Sequence, residues 1–373
     1  MMKRIFLLLP LILLTGCSQQ NQKTETVSET VETMPLEYAE QFSVDFCADG
    51  TSVIHIGEDA FLLVPEHQTA PAQTEMTVIQ QPVSCVYAAA SSAMDLFDAI
   101  GCLDRVQLTS TDRDGWSLPH IRQAMDDGAL TFIGKYSTPD YEALMETDCD
   151  LAVESTMIYH SPAVKEKIEA LGIPVLTERS SYESHPLGRM EWMKLYGLIL
   201  GKYETSAAVF SEKTAGFAAL TEQEIPPESR KTCAFFSITP SGTVNIRKPG
   251  DYIAKMIDFA GGTYIFTPEN LHVDENALST MSIQMESFYE TAKNADILIY
   301  NSTIEGQLSH ISDLIDKSDV FADFRAVQNG DVWCTEQNTF QQTTGAADMI
   351  ADLHRIFTDE SADHLTYLYK IPE

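Results

Sequence analysis

The sequence predicts an α/β protein made of two doubly wound α/β lobes joined by a single long bridging helix, with a cleft between the lobes. Three observations carry this reading. After Pro82, short β-rich runs alternate with helical segments, the pattern of parallel strands and crossover helices. Residues 187–224 then contain few breakers and read as helix. Beyond Pro226-Pro227 the β/α alternation starts again. A chain of 373 residues is also longer than one core usually serves.

Taken in order, residues 42–64 alternate apolar and polar side chains and read as two or three lead-in strands, with Asp49-Gly50 as a hairpin signal. Residues 84–89 (SCVYAA) form a strand. Residues 91–101 (SSAMDLFDAIG) form a helix, with Ser91 as N-cap and Gly101 as the stop. Residues 129–134, 149–155 and 173–178 follow as strands. Residues 139–148 and 161–172 are helices with Pro in the first turn. This first lobe spans residues 38–201, and the break at Gly201 leads into a bridging helix over 202–228. The second lobe, 229–373, has strands at 232–238, 243–247, 295–303 and 331–336. Its helices are expected at 251–262 and 343–357.

The charge balance narrows function. There are 24 Lys+Arg against 55 Asp+Glu, a formal net charge of -31. Phosphate contacts need basic patches, so nucleic acid is excluded as a partner. The 44% hydrophobic content is enough for real cores. No apolar run reaches the roughly 18–20 residues of a membrane span.

The N-terminus reads as an address. Lys3 and Arg4 precede an apolar run from Ile5 to Leu14, and Leu14-Thr15-Gly16-Cys17 resembles a bacterial lipobox. Residues 1–17 are thus expected to be a lipoprotein signal peptide, with Cys17 lipidated and residues 18–37 a polar tether. Of the seven cysteines, none forms a CxxC pair, and the six after Cys17 are expected to be mostly small buried residues.

The body contains an echo of itself. Residues 141–156 (YEALMETDCDLAVEST) and 285–303 (MESFYETAKNADILIYNST) each run Glu, then Glu-Thr, then Asp, an apolar strand and Ser-Thr. Tyr141-Glu142-Ala143-Leu144 before Cys149-Asp150-Leu151-Ala152-Val153 resembles the first-lobe signature of the ABC-importer substrate-binding proteins of the iron-siderophore, haem and cobalamin group. Gln284-Met285-Glu286 before Ala295-Asp296-Ile297-Leu298-Ile299 resembles its second-lobe counterpart. Ala260-Gly261-Gly262 with Ile265-Phe266, and the stretch from Arg189 to Lys202, are similar to further family motifs. Cys149 departs from the family's usual Pro.

The resemblance implies a lipid-anchored, extracytoplasmic binding protein that performs no chemistry and is a monomer. Its implied partners are an ABC permease with its ATPase, and a small-molecule iron complex. In the family one Glu on each lobe meets Arg residues of the permease; carried over, these are Glu142 and Glu286. Closure is expected to be a small rocking about the bridging helix.

Ligands of open α/β lobes bind beyond the carboxyl ends of the strands. The candidates there are Trp116, Tyr136 beside Lys135, Tyr159 and His160, then Arg179, Tyr182, His185 and Arg189. The second lobe supplies Arg247, Lys248, Asn301, Phe340 and Gln341. Trp116, Tyr136 and Tyr159 are stacking residues. Tyr182 and His185 have the chemistry of iron ligands or a haem axial pair. Arg189 suits a carboxylate or catecholate, or else pairs with Glu183 or Glu191. The basic candidates favour an anionic ferric siderophore or haem over a corrinoid. Bare metal capture lacks converging His and carboxylates, and an enzyme lacks a GxSxG, HExxH or P-loop motif.

Overall fold

The computed structural model describes residues 28–72, 74–221, 225–362 and 364–373. Cys17 and its leader lie outside the described residues. The strands form three sheets. The first is β1 (Thr30–Thr33), β2 (Phe42–Cys47), β3 (Ser52–Ile56), β4 (Asp59–Val64) and β5 (Thr77–Gln80), joined in that order. It is antiparallel except for the last pair. The second holds β6 (Val86–Ala88), β7 (Val106–Thr109), β8 (Thr131–Phe132), β9 (Leu151–Ser155) and β10 (Val175–Glu178). It is wholly parallel, in the order β10-β9-β6-β7-β8. The third is mixed: β11 (Thr232–Ile238), β12 (Val244–Arg247), β13 (Thr263–Tyr264), β14 (Thr280–Ile283), β15 (Ile297–Tyr300), β16 (Val332–Thr335) and β17 (Leu368–Lys370). Its order is β14-β12-β11-β15-β16-β17, with β13 also on β11.

In the first lobe the helices are α1 (Ser91–Ala99), α2 (Pro119–Asp126), α3 (Tyr141–Glu146), α4 (Pro162–Ala170) and α5 (Pro186–Ile199). The connector holds α6 (Tyr203–Thr214) and α7 (Phe217–Thr221). The second lobe has α8 (Tyr252–Phe259), α9 (Pro268–Leu271), α10 (Met285–Ala292), α11 (Ser302–Glu305), α12 (Ile311–Lys317), α13 (Arg325–Gln328) and α14 (Ala346–Thr358).

The apolar runs of the central strands are explained by burial on both faces. In the second sheet Val86, Leu151, Val153 and Leu176 face α1 and α5, while Tyr87, Ala152 and Val175 join the cluster that includes Leu144 of α3 and Ile168 of α4. In the third sheet Phe235, Ile299 and Trp333 face one way, and Phe236, Leu298 and Tyr300 the other. The inward faces meet. One apolar cluster runs from Phe42 and Ile54 of the first sheet, through Trp192 and Tyr196 of α5, to Phe235, Met256 and Ile350 in the second lobe. The two lobes therefore share a core.

Helix α5 is the centre of that core, with every residue except Leu198 buried. Its charges are met by backbone as well as side chains. The Glu191 carboxylate accepts the N–H groups of Glu37, Tyr38 and Ala39 at 2.8–2.9 Å and the Lys194 ammonium at 2.6 Å. Glu183, just before the helix, accepts the N–H groups of Glu40 and Gln41 and the indole N–H of Trp192. Neither acid pairs with Arg189, as the sequence had suggested. Both hold the segment that feeds β2.

Three expectations change. The lead-in is a five-stranded sheet, and residues 30–33, assigned to the tether, are its first strand. The single long bridging helix is two helices, α6 and α7, broken at Ala215-Gly216. Ser91 is the first residue of α1 and makes no capping hydrogen bond, because Ala90 holds the cap position. The α5–α6 hairpin closes tightly: a Cβ at Gly197 would lie 2.1 Å from Ser206 Oγ, so only glycine fits there.

The internal echo has a physical basis. Asp150, just before β9, accepts the N–H groups of Ser84 and Cys85 at the entry to β6. Asp296, just before β15, accepts the N–H and the hydroxyl of Thr232 at the start of β11. In both lobes a short helix thus leads to an Asp that stitches two neighbouring parallel strands.

Replacing Glu191 by Leu would strand three N–H groups and the buried Lys194 charge. Its expected cost is about 3–5 kcal/mol in urea denaturation. A loss under 1 kcal/mol would contradict this role.

Candidate functional site

The segments that follow β6, β7 and β16 meet across the two lobes. From the first lobe, the turn Thr156–His160 follows β9 and carries exposed Met157, Tyr159 (51% exposed) and His160. The turn Ser180–Tyr182 follows β10, with Tyr182 partly exposed and the Arg179 guanidinium 5.2 Å from its ring centre. From the second lobe, α11 follows β15 and presents exposed Ile304. Large apolar side chains open to water from both lobes thus border this end of the sheets.

Other candidates serve different ends. Trp116 is fully buried, and its indole N–H donates to the Thr111 carbonyl, so it belongs to the core and offers no stacking face. Tyr136 is half-buried against the cluster beneath α3. Asn301 is buried and caps α11, accepting the N–H and hydroxyl of Thr303. His185 caps α5 by accepting the N–H of Leu187 at Nδ1, and its ring stacks on Tyr38 at 4.4 Å. Burial pushes its pKa down to about 4, so the ring is neutral. The sequence paired His185 with Tyr182. The structure turns them to different neighbours, His185 to Tyr38, Phe217 and Phe259, and Tyr182 to Arg179. Lys135 and Lys248 lie in turns, the first exposed and the second half-buried.

The structure does bring Arg189 and Arg247 together from opposite lobes. Their guanidinium carbons lie 4.0 and 5.7 Å from the ring centre of Tyr252. Arg247 also lies 4.8 Å from the Phe340 ring centre and pairs with Asp251 at 3.5 Å. Buried Glu178 belongs to the same seam: it accepts the N–H of Ser180 and the Ser92 hydroxyl. Burial raises its pKa, with Ser180 and Arg189 pulling the other way. The Arg189 Nε–H has no hydrogen-bond partner among the described residues. It borders a cavity of about 10 Å³ lined also by Tyr252, Thr339, Gln342, Thr343 and Tyr367, room for roughly one water.

The seam is closed by stitches across the lobes. Thr343 donates its hydroxyl to the Ser92 carbonyl, and the Thr344 N–H donates to Asp95. Gln341 accepts the N–H of Ser117 and donates to the Gly115 carbonyl, each at 2.7 Å. Beside these lies a more open inter-lobe cleft of about 330 Å³, lined by Ser117, Arg122, Gln307, Glu336, Gln337 and Asn338. The buried Arg122 Nε–H also lacks a partner among the described residues. Sequence reasoning missed Arg122. The signal was its place one helix turn into α2, the helix that follows β7.

Glu154 was missed as well. It is the penultimate residue of β9, directly before the turn that carries Tyr159, and is fully buried. Neither carboxyl oxygen, nor the hydroxyl of Tyr87 on β6 or of Thr177 opposite it on β10, has a partner among the described residues. Burial alone pushes the Glu154 carboxyl up to about 8. No three His, Cys, Asp or Glu side chains converge as a metal site among the described residues.

Glu142 and Glu286 are both exposed, each in the first turn of its helix, α3 and α10. The two helices are the equivalent members of the internal echo.

A family model described as periplasmic binding protein matches residues 88–339. The chain belongs to the periplasmic binding protein family. Two relatives are lipoproteins of Methanocaldococcus jannaschii, both named uncharacterized. MJ0872 is 24% identical over 99% of this chain and all of its own length. MJ0878 is 25% identical over 66% of this chain, and the match spans 57% of its length. Among solved structures, a periplasmic haem binding protein from Pseudomonas aeruginosa has the same fold. Its TM-score is 0.59 at 14% identity, covering 78% of this chain and 98% of that one. The two-lobed α/β architecture is that of this family. Among the described residues no helix is long and apolar enough to cross a membrane.

The Glu154 carboxyl gives a pH signature. Its folded pKa lies above the unfolded value, so the folded chain keeps a proton that the unfolded chain releases above about pH 4.3. The stability it contributes is full below that pH and is lost as pH rises through about 8. Glu154→Gln is expected to be near neutral at pH 5 and stabilising at pH 9 by on the order of 3 kcal/mol. Urea midpoints of both proteins at the two pH values check this, and a pH-independent difference would contradict it.

Proposed function

We propose that the protein is the lipid-anchored substrate-binding component of an ABC importer. It captures an iron complex, a ferric siderophore or haem, outside the cytoplasm and delivers it to the permease without chemical change. The observation that carries the docking half is the matched placement of Glu142 and Glu286. Two exposed carboxylates, one per lobe on equivalent helices, offer a two-fold permease a matched pair of sites for Arg.

The ligand half rests on the side chains at the carboxyl ends of β9, β10 and β15. Met157, Tyr159, Tyr182 and Ile304 expose apolar and aromatic surface suited to a flat or greasy ligand. Arg247 and Lys248, with Arg189 behind them, supply the positive charge that an anionic complex needs in so acidic a protein. His160, exposed on the same turn as Tyr159, completes the ligand set. The 10 Å³ cavity at Arg189 is too small for such a molecule, so the ligand lies at the mouth of the seam and the arginines act from below. Cys17 is the anchor point.

One experiment separates the halves. Melting temperature is recorded with haem, with ferric siderophores and with cobalamin, and uptake is measured in cells. Glu142→Arg with Glu286→Arg is expected to keep the ligand-induced shift and abolish uptake. Tyr159→Ala with Tyr182→Ala is expected to lose most of the shift while the unliganded melting temperature holds. A Soret band in the complex identifies haem. A shift with cobalamin alone would overturn the iron reading, and uptake by the double Arg variant would overturn the docking assignment.

A further inference from the structure

All six cysteines among the described residues are buried and free, and two of them enter neighbouring strands. Cys85 and Cys149 lie just before β6 and β9, neighbouring parallel strands held in register by Val86 opposite Leu151. The Asp150 N–H donates to the Cys85 carbonyl at 2.9 Å, and Cys149 Sγ lies 3.9 Å from that same carbonyl oxygen. Both thiols point to the same face, into the cluster beneath α3. Cys149 Sγ also lies 3.4 Å from the Leu151 carbonyl oxygen, so it sits between the two strand entries.

We propose that Cys85 and Cys149 are a disulfide site, oxidised to a covalent staple when the chain folds in an extracytoplasmic, disulfide-containing environment. The residues are 64 apart in sequence, and the bond would tie the entries of two central strands directly under the helix that bears Glu142.

The chemistry is thiol–disulfide exchange with a disulfide oxidant, such as oxidised glutathione or an oxidised dithiol protein. The Cys85 thiolate attacks one sulfur of the oxidant, forming a mixed disulfide and expelling one thiolate. Cys149, as thiolate, then attacks the Cys85 sulfur, closing the bond and expelling the second. Two protein thiols are oxidised, one external disulfide is reduced, and the two thiol protons pass to the departing thiolates. Both residues are buried once folded, so exchange takes place as the strands pair, before α3 has closed over them. The other buried cysteines have no such neighbour in view: burial raises the pKa of Cys233 and Cys334, which keeps them thiols.

The test is independent of any ligand or permease. The chain from residue 18 onward is refolded with oxidised glutathione, denatured without reductant and alkylated. Intact mass and peptide mapping are expected to show Cys85 and Cys149 protected and joined, with Cys47, Cys102, Cys233 and Cys334 alkylated. Reduction is expected to lower the melting temperature by roughly 5 °C, for a loop of this size. Cys85→Ser with Cys149→Ser should show no such change. Alkylation of all six cysteines, or a bond joining any other pair, would overturn the proposal.

Discussion

The fold depends on burying a charged helix. Helix α5 is enclosed on nearly every side, yet carries Arg189, Glu191 and Lys194. A buried charge is costly unless paired and hydrogen-bonded. The three are met by two different parts of the molecule. Glu191 and Lys194 satisfy each other and the backbone of residues 35–39, which fixes the first sheet against the helix. Arg189 reaches across to the aromatic face of Tyr252 in the second lobe. The helix therefore ties the N-terminal segment and the second lobe together through its charged side chains, and packs on all three sheets through its apolar ones.

This arrangement bears on how such a protein works. The lobes meet through a continuous apolar cluster and through direct hydrogen bonds from the 341–344 segment to Ser92, Asp95, Gly115 and Ser117. A wide hinge opening would expose that cluster and unpair Arg189. Small rocking at the mouth would not. Glu154 lies just before the turn that follows β9, with Tyr141 of α3 among the groups that feel its charge.

Much of this was legible in the sequence, and the reasons are local. Apolar runs and helix-start signals mark β6, β8, β9 and β10 and the helices α1, α3 and α4, because each buries a defined face, whereas β7 and α2 were not assigned. The Glu142 and Glu286 echo was readable because Asp150 and Asp296 do the same job at fixed spacing from each helix. What was not legible depends on distant partners. Glu183 and Glu191 look like partners for Arg189 in one dimension. In three they belong to the backbone of residues 37–41, about 150 positions away. Trp116 and His185 carry ligand-like chemistry, but their hydrogen bonds and ring contacts claim them for core and cap. Glu154 reads as one acid among 55 until both strands beside it are in place.

The central claim is that the two lobes and the N-terminal sheet form one cooperative unit through α5. Differential scanning calorimetry tests it most directly. The account predicts a single transition for the protein without ligand, with calorimetric and van't Hoff enthalpies equal. Two resolved transitions, one for each lobe, would contradict it.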